Sequence, residues 1–204
     1  MRDTIIATAE RGSQMVQQLL RFAKGGESAR VVVNIIDVIG NVLKVTQETF
    51  PKSILFKPVI EAGLWNVIGD PTQLYQMLLN VLVNARDAMP NGGTLMISAE
   101  NVNVTESKST RFGTVNVGSH LLLSVMDTGH GMDENVEKKL FTPFFSTKTQ
   151  GKGTGLGSSI VLSIVRNHLG CLDVKSKPGC GTKIEIYLPA APVRVNNPEQ
   201  TRIA

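Results

Sequence analysis

Residues 121–131, Leu-Leu-Leu-Ser-Val-Met-Asp-Thr-Gly-His-Gly, decide the reading of this chain. The apolar run at 121–126 reads as a buried strand with Asp127 at its end. An acceptor-only carboxylate is costly there unless it meets a donor, and the exocyclic amine of an adenine is such a donor. Gly129 and Gly131 flank a turn where the backbone must approach a flat ring closely, and where a positive φ would be free of steric cost only for glycine. Taken alone, the same residues also describe an ordinary strand-to-helix loop, because Asp and Gly are common turn formers.

A second cluster, Gly151-Lys-Gly-Thr-Gly-Leu-Gly157, precedes the helical run Ile160, Val161, Ile164, Val165 and Leu169. Amides exposed at that helix start favour phosphate oxygens; the alternative is a loop capped by Ser158 or Ser159. Lys152 is followed by Gly153 instead of Ser or Thr, and no Gly-x-Gly-x-x-Gly register fits, so neither a P-loop nor a Rossmann fingerprint is present. A third element is a helix with Asp70 as N-cap and Pro71 at its first position. Its apolar face is Leu74, Met77, Leu78, Val81, Leu82 and Ala85, and the sequence at 90–93 ends it. Asn80 and Asn84, one turn apart, project from one side and can aim two amide oxygens at a magnesium ion and the phosphates it bridges. Arg86 and Asp87 continue that side, which could equally be a solvated face.

These residues carry a family resemblance. The chain resembles the catalytic ATP-binding domain of sensor histidine kinases, within the superfamily that includes gyrase, the Hsp90 chaperones and MutL. Leu79-Asn-Val-Leu-Val-Asn-Ala85 resembles its N box, Asp127-Thr-Gly-His-Gly131 its G1 box, Phe141-Thr-Pro-Phe-Phe145 its F box and Gly153-Thr-Gly-Leu-Gly157 its G2 box. Ser158 departs from the apolar residue usual there, and His130 occupies a variable position. The resemblance spans roughly residues 30–190. It implies that Asp127 and Thr182 hold adenine, that Asn80 coordinates Mg2+, and that Asn84 lies near the phosphates. Residues 132–157 would contain a lid over the triphosphate, packed down by Phe144 and Phe145, with Lys148 reaching the terminal phosphate. The implied ATP site is completed by Asp87, Gly129, Gly131, Met132, Gly153, Thr154, Gly155, Leu156 and Gly157, with Asn80 and Lys148 as its catalytic residues.

Phosphoryl transfer rests on positioning and charge neutralisation, so the nucleophile must come from elsewhere. The family uses a histidine followed by an acidic residue on a dimerisation helix. Here His120 precedes Leu121, His130 precedes Gly131 and His168 precedes Leu169, so each reads as structural. Ile5, Ala9, Gly12, Val16, Leu19 and Ala23 form a heptad-like seam, which resembles the second dimerisation helix or is a single amphipathic helix folded onto its own domain. The expected domains are residues 1–26 (that helix and a hinge), 27–190 (catalytic) and 191–204 (tail or linker). The expected partners are an acceptor-histidine helix, a response-regulator receiver domain and, in the full-length protein, a second copy. An ATP-driven clamp of the gyrase, MutL or chaperone type is the competing reading, and a degenerate scaffold the third.

Composition bounds these readings. The chain has 204 residues, 42% apolar, with net charge +4, but its cations are scattered and aromatics make up 5%, which argues against nucleic acid. Cys171 and Cys180 flank a hairpin and, with no secretory signal, read as thiols. No apolar run approaches about eighteen residues, so a cytoplasmic location is expected, with any membrane anchor upstream. Strands are expected at 30–33, 53–60, 64–68, 95–104 and 120–126, then 171–177 and 182–188. Helices are expected at 34–49, from 70, and at 158–169, with 105–119 a long polar hairpin loop and Trp65, on a short strand, in the core. The fold class is α+β: a two-layer α/β sandwich of the Bergerat ATP-binding type, with three helices on a mixed, mainly antiparallel sheet, plus the N-terminal helix.

Overall fold

A computed structural model describes residues 30–148 and 154–192. The helix expected over 1–24, the tail beyond 192, and Gly151, Lys152 and Gly153 lie outside the described residues. The elements run β1 (Val31–Val33), α1 (Ile35–Thr49), β2 (Ile54–Ile60), β3 (Val67–Gly69), α2 (Pro71–Asp87) and β4 (Gly93–Val104). They continue with β5 (Lys108–Thr110), β6 (Gly113–Val115), β7 (Gly118–Asp127), α3 (Glu134–Lys139), α4 (Gly157–Asn167), β8 (Cys171–Lys177) and β9 (Gly181–Pro189). The main sheet has the order β2-β4-β7-β9-β8, parallel only between β2 and β4, which is the mixed, mainly antiparallel α+β architecture expected.

Side chains alternate across a strand, and here the middle of one phase is apolar. Leu95, Ile97 and Ala99 of β4, Leu121, Leu123 and Val125 of β7, and Ile186 and Leu188 of β9 are buried in one core with the inner faces of α1, α2 and α4. Helix α2 buries Leu74, Met77, Leu78, Val81, Leu82 and Ala85, the six residues its periodicity marks. Each large apolar side chain so buried contributes roughly 1.5–3 kcal/mol. Its start is fixed by Asp70, whose carboxylate accepts from the amides of Thr72 and Gln73 at 2.8 and 3.3 Å.

Helix α4 ends at Asn167, two residues earlier than its apolar run implies. Leu169 is in the left-handed region with φ 57° and is 72% exposed, so it is the residue that terminates the helix and not its last core residue. Trp65 is half-buried in the loop before β3, its amide donating to Asn101 Oδ1, and so is not a core strand residue. The polar stretch after β4 is the hairpin loop expected, joining the antiparallel β4 and β7, and it carries a small hairpin of its own, β5–β6. A short fourth helix, α3, occupies the start of the segment expected to be a lid. Ala191 still donates to Asn66 O at 2.7 Å, so the edge of the domain reaches one residue into the expected tail.

Two of the three histidines, His120 and His168, are buried in structural bonds, whereas His130 is exposed at the edge of a cavity. His168, buried at the end of α4, donates from Nδ1 to Ile164 O at 2.7 Å and accepts the Asp70 amide on Nε2 at 3.0 Å. One neutral tautomer satisfies both bonds, and the ring ties α4 to the start of α2. His168→Ala removes both bonds and opens a void, so it should lower the unfolding free energy by about 3 kcal/mol in urea titration. A loss below about 0.5 kcal/mol, the size of an ordinary surface substitution, would contradict this linkage.

Candidate functional site

Asp127 continues the inward phase of β7 two residues beyond Val125, and in register beside it on β9 stands Thr182. The pleat that builds the core therefore delivers a carboxylate to the core's open end. Asp127 is 5% exposed, and its Oδ1 accepts from the amides of Gly129 at 2.8 Å and Thr182 at 3.3 Å. Burial pushes this carboxyl above its ordinary value, and the two amides only partly oppose that. Thr182 is held by Ser176, its hydroxyl 2.9 Å from Ser176 Oγ, while Ser176 also accepts the amide of Met132.

A cavity of about 1000 Å3 opens above this carboxylate. One wall is the polar side of α2, where Asn80, Asn84 and Asp87 face the start of α4. Asn84 Nδ2 donates to Ser158 Oγ at 3.3 Å. Asn80 Nδ2 is buried and meets no partner among the described residues. A buried orphan amide costs about 1–3 kcal/mol, so it marks a place where something polar belongs. Across from it, α4 begins at Gly157 with no side chain capping its N-terminus, and Ser159 bonds back to Leu156 O, so neither serine acts as a cap. Uncapped first-turn amides facing a cavity are a ready anion site.

At the far side Lys148 Nζ lies 2.6 Å from Asp87 Oδ2, while Arg86 holds Oδ1 at 2.7 and 2.8 Å. Burial raises the Asp87 carboxyl, but the bonds from Lys148 and Arg86 outweigh it and hold it below its ordinary value. Among the described residues no three His, Cys, Asp or Glu side chains gather to hold a metal. An ion here would take Asn80 and the oxygens of a ligand.

Of the residues singled out from sequence, Asn80, Asn84, Asp87, Asp127, Gly131, Met132, Lys148, Thr154, Gly155, Gly157 and Thr182 line this cavity. Phe144 does not: its φ is 65° and it is 66% exposed, with Gly155 packed on its backbone, while Phe145 lines the cavity instead. Leu156 points into the core, and Gly153 lies outside the described residues. Gly131 has the positive φ expected, 64°. Gly129 does not; it is glycine because a Cβ there would sit 2.5 Å from Ala88 O at the end of α2. The wall also includes Val125 and Ile184, which share the inward phase of Asp127 and Thr182 and could have been found by that register.

The raised Asp127 carboxyl has a definite consequence for stability. The folded chain keeps this proton to a higher pH than the unfolded chain does, so stability falls as pH rises from 3.8 through the raised value, and at neutral pH the full penalty remains. Asp127→Asn keeps an oxygen for both amides and cannot ionise. It should raise stability at pH 7 by about 1 kcal/mol in chemical denaturation, and lower stability there would contradict the assigned cause.

The family model described as "Histidine kinase-, DNA gyrase B-, and HSP90-like ATPase" matches residues 69–192. Sensor kinase CckA of Brucella abortus is 34% identical over 181 residues, covering 89% of this chain and 19% of that protein. Sensor histidine kinase ZraS of Salmonella typhimurium is 32% identical over 182 residues, covering 89% and 36%. The chain thus spans a fifth to about a third of these relatives' length. The solved mycobacterial sensor histidine kinase MprB superposes with a TM-score of 0.63 at 28% identity, over 80% of this chain and 99% of that one. The chain belongs to the histidine kinase-, DNA gyrase B- and HSP90-like ATPase family, as a histidine-kinase-type ATPase domain.

Proposed function

We propose that this chain binds Mg-ATP in the cavity above Asp127 and delivers the γ-phosphoryl group to a histidine on a dimerisation helix. The observation that carries the reading is the orphan Asn80 amide facing the uncapped start of α4. The unpartnered Nδ2–H group calls for an acceptor such as a phosphate oxygen and leaves the side-chain oxygen of Asn80 for a hard cation, and the helix start is a seat for phosphate, both in the cavity whose floor is an adenine-compatible carboxylate. In this reading Asp127 accepts the adenine amine, with Thr182 beside it. Asn80 would hold Mg2+ through its amide oxygen, and Asn84, Thr154, Gly155 and Gly157 stand along the phosphates. Phe145 takes the part expected of Phe144. Bound magnesium supplies neutralisation of charge on the phosphate oxygens.

Lys148 is held by Asp87 at 2.6 Å until a more strongly charged acceptor enters the cavity. A terminal phosphate is such an acceptor, and Lys148 then neutralises charge that grows on transfer. His120 and His168 are buried in structural bonds, and His130, which lines the cavity, sits on a turn before Gly131 and not on a helix before an acidic residue. The acceptor therefore belongs to another helix of the same or a partner subunit, and the proposed final recipient is a response-regulator receiver domain. The segment over residues 1–26 is proposed as the second dimerisation helix, which makes a homodimer the working form of the whole protein in the cytoplasm. The sensor kinases among its relatives favour this reading over an ATP-driven clamp.

Labelled phosphate transfer from γ-labelled ATP to an added histidine-kinase dimerisation domain tests this. Asn80→Ala should reduce transfer at least about 100-fold while leaving circular dichroism and the melting midpoint nearly unchanged. Unimpaired transfer would remove Asn80 from its assigned role, and free phosphate without phosphoprotein in the native chain would point to the clamp.

A further inference from the structure

We infer that the β5–β6 hairpin is a strut for the nucleotide cavity, and that the two residues at its tip, Arg111 and Phe112, are positioning residues that hold the α3 wall in place. The inference rests on the proposed nucleotide reading of that cavity.

The hairpin is built as a rigid unit. Its strands pair Lys108 with Val115 and Thr110 with Gly113, leaving Arg111 and Phe112 as the two turn residues. The Thr110 hydroxyl accepts the Phe112 amide at 3.2 Å and reaches the carbonyls of Gly113 and Leu172, each at 3.0 Å, so the tip is tied to β8. Val115, 1% exposed, forms a second small core with Leu122, Cys171 and Tyr187 on the sheet face away from the helices. Lys108 lies 5.5 Å over the Tyr187 ring. The base is thus anchored on β7, β8 and β9 and the tip projects toward α3.

Both tip residues end on the cavity wall. Arg111 Nη1 meets Glu137 Oε1 at 2.6 Å, and Glu137 is buried at 9% exposure. Phe112 packs edge-on against Phe141, with ring centroids 4.6 Å apart and planes at 80°. Val136, Leu140 and Phe141 line the cavity, so Glu137 and Phe141 are the points at which the hairpin grips that wall. A helix of 6 residues does not hold its own shape in water. Removing Arg111 leaves a buried carboxylate without its cation, and the cheapest relief is for α3 to move Glu137 out to solvent and take the wall with it. A wall that is formed only part of the time weakens ligand binding by the fraction of time it is absent.

Three measurements on the whole chain decide the matter: hydrogen exchange over 134–141 without nucleotide, the Kd of a non-hydrolysable ATP analogue with magnesium, and the transfer rate at saturating ATP. Arg111→Ala should speed exchange over 134–141 about tenfold while leaving α2 unchanged, and raise the Kd about tenfold, with transfer at saturation within about twofold of native. Phe112→Ala should move exchange and Kd the same way, and Arg111→Lys should restore most of the affinity, which a merely stabilising role would not require. Unchanged exchange in both alanine variants, or faster exchange with an unchanged Kd, overturns the proposal. Failure of the native chain to bind the analogue overturns the nucleotide reading instead, and the exchange comparison alone then decides whether the hairpin holds α3.

Discussion

The buried carboxylate of Asp127 is the constraint around which the rest is arranged. It stands at the end of the central strand in phase with Leu121, Leu123 and Val125, where the pleat would otherwise place a fourth core residue. Two backbone amides hold one of its oxygens, and those amides are supplied by the turn at Gly129 and the start of β9. Packing follows from that. Gly129 lies against the end of α2, Gly131 against the β8–β9 turn, and both glycines are there because the backbones meet more closely than a Cβ permits. The cost of the buried charge is carried by a core of more than thirty residues, since burial of this kind totals far more than one carboxylate's penalty.

The same economy runs through the other polar groups of the cavity. Among the described residues, Asn80 Nδ2 has no partner, the start of α4 has no side-chain cap, and Lys148 is paired with Asp87, so each can be met further by a ligand. Features of this kind concentrate where a ligand completes them. The opposite sheet face is organised differently: the β5–β6 hairpin covers one end of it and reaches over to α3, so that wall is braced from outside the helical layer.

Much of this was legible in the sequence. The inward face of α2 was readable residue by residue because a long helix with an N-cap, a first-position proline and a terminating 90–93 segment leaves one phase for its apolar set. Asp127, Asn80 and Thr182 were singled out by motif or resemblance and all three line the cavity, but the register that sets Asp127 beside Thr182 emerges only from the structure. What failed did so for local reasons. Leu169 fits the periodicity of α4 but lies beyond its end, because a left-handed turn at 169 brings Gly170 against Tyr187 O, where a Cβ would sit 2.5 Å away. Phe144 and Phe145 are indistinguishable by type, and only the backbone turn at 144 decides which enters the cavity. The hairpin within 105–119 is polar and short, and its support comes from Cys171 and Tyr187, residues that lie far along the chain.

The measurement that bears most directly on this account is an isothermal titration of a non-hydrolysable ATP analogue, with and without magnesium, into the native chain and Asp127→Asn. The account predicts one site per chain, strengthened by magnesium, and weakened at least about 100-fold by the substitution, since a side-chain amide presents a donor to the adenine amine where a carboxylate accepts from it. Equal affinity in the two proteins would contradict it, because the cavity's floor would then play no part in recognition.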